Sequence, residues 1–260
     1  MNRFFKDLKC YGEYVLFAGY SQLKAEVSGS FLTWLWWILD PFLHMMVYAF
    51  ISLIVFNRSE PHFIPFVFVG QCMWKFINSS LTGSVKMVRA NKSVLSRIYL
   101  PKTMLLLSNM YSFFIQLMIT LAITVVMCIL DRVTFTWHIL WTPFIVALLF
   151  LGTYGISCIF LHVGVYVKDM GNVIGIVLKL AFYMSGVFYS IPLRVPAPYG
   201  QWLLCVNPAA SLINELRNVL VYGQAPDVLM LGIWLVISLL LCYIGIRLIC
   251  KHEQNYIKAV

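Results

Sequence analysis

The chain has 260 residues, 61% of them hydrophobic and only 11% charged, with a formal net charge of +9. A water-soluble domain sits near about 45–50% apolar and about 25% charged, so an ordinary globular enzyme or soluble binding module is excluded. Six apolar stretches occupy most of the length and leave no room for a separate soluble domain of ordinary size.

Residues 1–30 come first. Phe4, Phe5, Leu8, Tyr11, Val15 and Ala18 recur at helical spacing, with Arg3, Lys6, Asp7, Lys9 and Glu13 between them. That pattern suits a helix lying in the membrane interface with its cations toward the headgroups; a solvated tail is the alternative. No cleavable signal peptide is apparent, because this stretch has no clean apolar centre.

The apolar stretches follow, at about 31–56, 63–85, 104–130, 139–167, 172–190 and 227–248. The first, Phe31 to Phe56, has one acidic residue and no lysine or arginine. At about 1.5 Å per residue it is long enough to cross a hydrocarbon layer of about 30 Å. Lysine and arginine concentrate in 1–30, 86–103, 168–171 and 247–260, while the alternate connections hold only Arg58, Arg132, Arg194 and Arg217. Short basic loops stay cytoplasmic, which predicts a multi-pass protein with both termini in the cytoplasm. The basic excess thus reads as a topology signal, and no nucleic-acid partner is expected. The result is an all-α membrane protein: a leading helix over 1–30, a six-span body over 31–250 and a cytoplasmic tail over 251–260.

Between spans two and three, Lys86–Thr103 is the most basic loop. A short helix over 91–101 with Val94, Leu95, Ile98 and Tyr99 on one side would give a cytoplasmic partner something to dock on, with a solvated face as the bland alternative. Pro101 ends whatever helix precedes it. Between spans five and six, 191–226 is too apolar for a solvated loop. Pro192, Pro196 and Pro198 keep its start extended, and Asn207-Pro208 is a helix start, since Asn caps free amides and Pro suits the first helical position. Leu212, Leu216 and Val219 then share one face until Gly223 closes the helix. Two helices too short to span predict a re-entrant pair over 199–222 beside a pore mouth.

Ionisable groups at bilayer depth mark a pathway or a buried pair. Thr33, Trp37, Asp40, His44 and Tyr48 share a stripe on the first span; Gly175, Lys179, Phe182, Gly186 and Tyr189 share one on the fifth. Asp40 lies about 14 Å deep and Lys179 about 11–12 Å, both from the cytoplasmic side. Two readings stand for Asp40, a hydrated conduit lining or a salt bridge to Lys179 or Lys75. For Lys75, beside Asn78, Ser79 and Ser80, helix–helix glue is favoured. Trp34 and Trp36 fit an interfacial aromatic belt, and Trp37 on the Asp40 stripe reads as lining.

What is missing also informs. There is no GxxxxGK[ST] loop, so the chain does not bind ATP in the usual way. No HxxxxD, DxD or usefully spaced carboxylate pair suggests a catalytic centre. The seven cysteines lack CxxC and CxxH spacing and sit mostly in apolar runs, where cysteine is a small hydrophobe. No metal site, cofactor or catalytic residue is expected.

The chain resembles the permease subunits of bacterial ABC exporters for polysaccharides, the O-antigen, capsule and teichoic acid group. The resemblance is carried by Lys24-Ala25 with Ser30-Phe31-Leu32 and Leu39-Asp40-Pro41; by Trp74 to Ser80, leading to Asn91, Leu95, Tyr99 and Pro101; by Lys168-Asp169; and by Ser185 to Tyr189, then Asn207-Pro208, Glu215, Arg217 and Gly223 to Pro226. Glu26, Ser28 and Lys75 depart from it. The resemblance implies a homodimer in the bacterial cytoplasmic (inner) membrane, docked on two copies of a separate ATPase that carries ATP and Mg. It implies a conduit lined by Trp37, Asp40, His44, Tyr48, Lys179, Phe182 and Tyr189. Coupling to the ATPase would run through Leu95, Ile98, Tyr99, Lys168 and Asp169, and an outer gate would include Asn207, Pro208, Glu215 and Arg217. The expected function is export of an undecaprenyl-linked polysaccharide; the alternative is a small-molecule or drug exporter permease of the same fold.

Overall fold

Prolines punctuate the helices. In the computed structural model, which describes residues 2–28, 60–259 and scattered positions between 35 and 50, six of the described helices carry proline at or next to their first turn, where its missing amide costs no hydrogen bond. The elements are α1 (Asn2–Ser28), α2 (Phe63–Ala90), α3 (Lys92–Leu95), α4 (Lys102–Leu130), a 3-10 turn (Trp137–Trp141) leading into α5 (Thr142–Tyr166), α6 (Met170–Met184), α7 (Ile191–Arg194), α8 (Tyr199–Val206), α9 (Pro208–Leu220) and α10 (Val228–Ala259). No strand occurs among the described residues. Three of the described helical stretches are long and apolar enough to cross a membrane: Lys102–Leu130, Trp137–Tyr166 and Val228–Tyr256.

α2 is the central helix. It packs on α4, α5, α6 and α9 and buries most of its length, from Phe63 to Val88. α5 and α10 form the closest pair in the bundle. A Cβ on Gly155 would meet the Cys242 amide at 2.7 Å, and one on Gly245 would meet Cys158 Cβ at 2.6 Å. Small residues at both faces let the two backbones approach, as in membrane helix pairs generally. The Cys242 thiol donates to the Leu151 carbonyl at 3.1 Å across the same seam.

The connecting segments sort into two ends of the bundle. At one end Glu60 meets Arg194 at 2.8 Å, His62 meets Asp131 at 2.8 Å, and Thr136 donates to the Gly223 carbonyl at 3.0 Å. At the other, Arg3 meets Glu253 at 2.7 Å, and Arg89 donates to the carbonyls of Val165 (3.2 Å) and Lys168 (3.4 Å). These are the two sets that the distribution of lysine and arginine separates, and the first and last helices meet at the basic end.

Four features differ from those expected. The fifth stretch forms a helix only over Met170–Met184, 15 residues or about 22 Å, because the chain turns at Ser185 and at Gly186 with φ +62. The expected 91–101 helix is the single turn Lys92–Leu95; Pro101 disfavours helix just before it. The expected 251–260 tail continues the last helix, since α10 runs to Ala259 and buries Glu253 and Tyr256. Finally, α1 packs lengthwise on α4, burying Val15 and Leu23, and Ser112 donates to the Gly19 carbonyl at 2.7 Å. Phe5, on the apolar stripe of the expected interfacial helix, is exposed.

Candidate functional site

A cleft of about 710 Å³ opens between α2 and α6. The α2 wall presents Gln71, Trp74, Lys75, Asn78 and Thr82, and the α6 wall presents Gly175, Leu178, Lys179, Phe182 and Tyr183. Each set steps by three or four residues, so each is one face of its helix. His44, from the first apolar stretch, completes the lining. The Trp74 and Phe182 rings stand 5.4 Å apart, and Phe182 continues onto Phe188 at 4.9 Å, within the range of favourable aromatic pairs. Ammonium, amide, hydroxyl and aromatic groups thus share one hollow.

Of the seven expected lining residues, the structure brings His44, Lys179 and Phe182 into this cleft. Trp37, Asp40 and Tyr48 lie outside the described residues. Tyr189 is half-buried, and its hydroxyl donates to the Tyr183 carbonyl at 2.8 Å. The cleft also takes Gln71, Trp74, Asn78, Thr82 and Tyr183, which are not among the expected lining residues. The signal was present for α2, where Gln71, Lys75, Asn78 and Thr82 repeat at helical period within an apolar run.

At the basic end the five residues expected to couple to an ATPase divide. Leu95 is buried in the main core, so the apolar knob consists of Val94, Ile98 and Tyr99, which are exposed. The Tyr99 ring faces outward while its hydroxyl accepts from Arg3 at 2.5 Å and donates to Glu253 at 3.3 Å. Partial burial and the Glu253 carboxylate push this phenol above its ordinary range, with Arg3 opposing them. Lys168 and Asp169 are exposed in the α5–α6 turn, and Arg89 ties that turn to the end of α2. Glu253 is a further organising residue that spacing did not reveal. Besides Arg3 and Tyr99, it accepts from the Lys102 backbone amide at 2.9 Å.

At the opposite end Asn207 behaves as a cap. Its Oδ1 accepts from the amides of Ala209 (3.0 Å) and Ala210 (3.3 Å), with Pro208 in the first helical position. Its Nδ2 donates to Ser185 Oγ at 3.1 Å and to the Met184 carbonyl at 3.4 Å, so one side chain also holds the end of α6. Glu215 and Arg217, both expected in an outer gate, are buried. Glu215 accepts from the Asp227 amide at 2.9 Å. Arg217 donates to three carbonyls, Phe66 (3.0 Å), Gly186 (2.7 Å) and Val187 (2.5 Å). The surrounding backbone consumes the donors that a surface arginine would give to water.

A family description, ABC-2 type transporter, matches residues 18–221. The chain belongs to the ABC-2 type transporter family. The matched range holds the cleft, the basic loop and the capped α9, and stops before α10. Within this family the chain is similar to the O-antigen export system permease protein RfbA of Myxococcus xanthus, 23% identical over 260 residues and the full length of both. It is 26% identical over 202 residues to an RfbA permease of Klebsiella pneumoniae, 77% of each chain. It is 23% identical over 236 residues to the polysialic acid transport protein KpsM of Escherichia coli, covering 90% of this ABC-2 chain and 91% of that protein.

Proposed function

We propose that the chain is the channel-forming permease subunit of an ATP-driven exporter that moves a lipid-linked polysaccharide across the bacterial cytoplasmic membrane. The observation that carries this reading is the cleft between α2 and α6. Ammonium groups and amides at mid-bundle are too costly to leave against lipid, so the cleft is a hydrated half-conduit, and a second copy of the chain closes it. The full-length similarity to permeases named for O-antigen export supports a polysaccharide cargo over a drug. In this reading the chain makes six crossings with both termini cytoplasmic, Trp37, Asp40 and Tyr48 extend the lining, and two copies of a separate ATPase dock beneath. The chain performs no covalent chemistry; ATP hydrolysis on the partner shifts which states of the conduit are populated.

The docking surface is the exposed part of the 86–103 loop with the Lys168-Asp169 turn beside it. Co-expression with the partner ATPase, in a host stripped of its own exporter, is expected to place polymer at the cell surface. Tyr99→Asp is expected to release the ATPase during purification and abolish surface polymer, while Tyr99→Phe, which keeps the ring and loses the anchor on Arg3 and Glu253, keeps the ATPase bound at lowered turnover. Full export by Tyr99→Asp would remove this docking assignment. Drug efflux without polymer export by the intact complex would favour the small-molecule alternative.

The gate is α8 and α9, dipping into the outer leaflet. Asn207→Ala removes the cap on two amides and the tie to α6, at a cost of about 1–2 kcal/mol. If that tie holds only in the closed state, even the lower figure moves the balance about fivefold toward open. Reconstituted permease carrying Asn207→Ala is therefore expected to leak ions without nucleotide while still binding the ATPase. A variant as tight as wild type would place the gate elsewhere.

A further inference from the structure

The described walls of the cleft carry positive charge and hydrogen-bond donors, with no carboxylate among them. Lys75 comes from α2 and Lys179 from the facing stripe of α6. Gln71 Nε2 adds a buried donor that meets no acceptor among the described residues. Lys75 lies about 18 Å from the Phe63 end of α2 and about 22 Å from the Ala90 end, so its ammonium sits near mid-bundle, away from the levels where headgroups lie. Snorkelling toward an interface does not account for a lysine at that level. Even if Asp40 on the first stripe offsets one of the two ammonium groups, each copy keeps a net positive charge in the conduit, and a paired copy doubles it.

A neutral sugar chain draws no benefit from ammonium groups held at such cost, since its hydroxyls are served equally by amides, hydroxyls and water. An anionic chain does benefit. In a narrow passage with low-dielectric walls, a few like charges focus the field and concentrate the opposite sign. A polymer with acidic groups at intervals can pass from one ammonium to the next without a deep trap at either. Aromatic rings beside the lysines, Trp74 and Phe182, offer flat faces to the sugar C–H edges between the acidic groups.

We infer that the cleft selects a polysaccharide whose repeating units bear anionic groups, with Lys75 and Lys179 as the specificity-determining residues. The inference rests on the export reading above and narrows it to acidic polymers. The pyrophosphate of the lipid carrier presents the same chemistry, but it travels at headgroup level, whereas Lys75 lies near mid-bundle.

The test measures binding to the permease–ATPase complex in nanodiscs, with three fluorescent probes: an oligogalacturonate, a malto-oligosaccharide of equal length, and an isoprenyl pyrophosphate. The oligogalacturonate is expected to bind at least about tenfold more tightly than the neutral oligomer, with the gap shrinking as salt rises from about 50 to about 500 mM. Lys75→Gln with Lys179→Gln should erase the gap, and the paired Lys→Arg variant should retain it; co-elution with the ATPase confirms that each variant is assembled. Equal, lysine-independent binding of both sugars overturns the charge inference and leaves polysaccharide export standing. Lysine-dependent binding of the pyrophosphate alone overturns the assignment to the polymer. Binding of neither sugar overturns the export reading together with the inference.

Discussion

Replacing Arg217 by alanine is expected to destabilise the chain by about 3 kcal/mol or more, because three buried carbonyls lose a donor at once. The guanidinium is 3% exposed and stacks on the Phe66 ring at 3.5 Å. Its donors satisfy carbonyls on α2 and on the 185–190 turn, and each carbonyl left buried without a donor costs about 1–3 kcal/mol. Arg217→Lys is not expected to rescue, because one ammonium cannot serve three acceptors that a planar fork reaches at once. Gly70→Ala should act through the same contact: its Cβ would lie 2.6 Å from an Arg217 nitrogen and 2.8 Å from the Val187 carbonyl. Thermal unfolding followed by tryptophan fluorescence in detergent measures all three. A lysine variant as stable as wild type would show that Arg217 is not a clamp.

The second large effect is expected at Glu253. This carboxylate is 4% exposed and gathers Arg3 from α1, Tyr99 from the basic loop, and both the amide and, at 3.9 Å, the ammonium of Lys102. Lys102 is itself buried. Glu253→Ala strands that ammonium and should cost about 3–5 kcal/mol. Glu253→Leu combined with Lys102→Leu removes both charges and should recover most of the loss, since an apolar replacement of a buried pair is often neutral. The double variant still lacks the anchor for Tyr99, so its thermal midpoint should return while ATPase turnover in the complex stays low. If turnover returned with stability, Glu253 would be a packing residue alone.

What was legible in the sequence was local or periodic. The Asn207-Pro208 start depends on side chains within three residues of each other, and it forms as expected. The sidedness of the loops is a count of charges, and the contacts at the two bundle ends reproduce the same grouping. Lys179 and Phe182 were placed on one face by helical period, and they do line one hollow. What escaped was non-local. Arg217 meets backbone carbonyls, and every residue has one, so no side-chain pattern announces the partner. Glu253 gathers Arg3, Tyr99 and Lys102 from more than 150 residues away in sequence. Leu95 and Ile98 looked equivalent on a helical wheel, but the helix stops after one turn, and only Leu95 is turned inward.

The double hold at Asn207 has a consequence for how this part of the molecule can vary. One side chain fastens the last residues of α6 to the first of α9, and Arg217 pins Gly186 and Val187 just beyond. The stretch between Tyr189 and Val206 is therefore a lariat knotted at its neck. The angle between the two helices is fixed at the knot, not along the noose. Loop closure penalties grow only slowly with length, so the mostly exposed stretch from Pro192 to Pro198, between the buried Ile191 and α8, can be lengthened or exchanged for a foreign segment at little cost beyond the Glu60–Arg194 ion pair. Grafting at this stretch can thus dress this end of the bundle with new chemistry while the helix junction beneath keeps its shape.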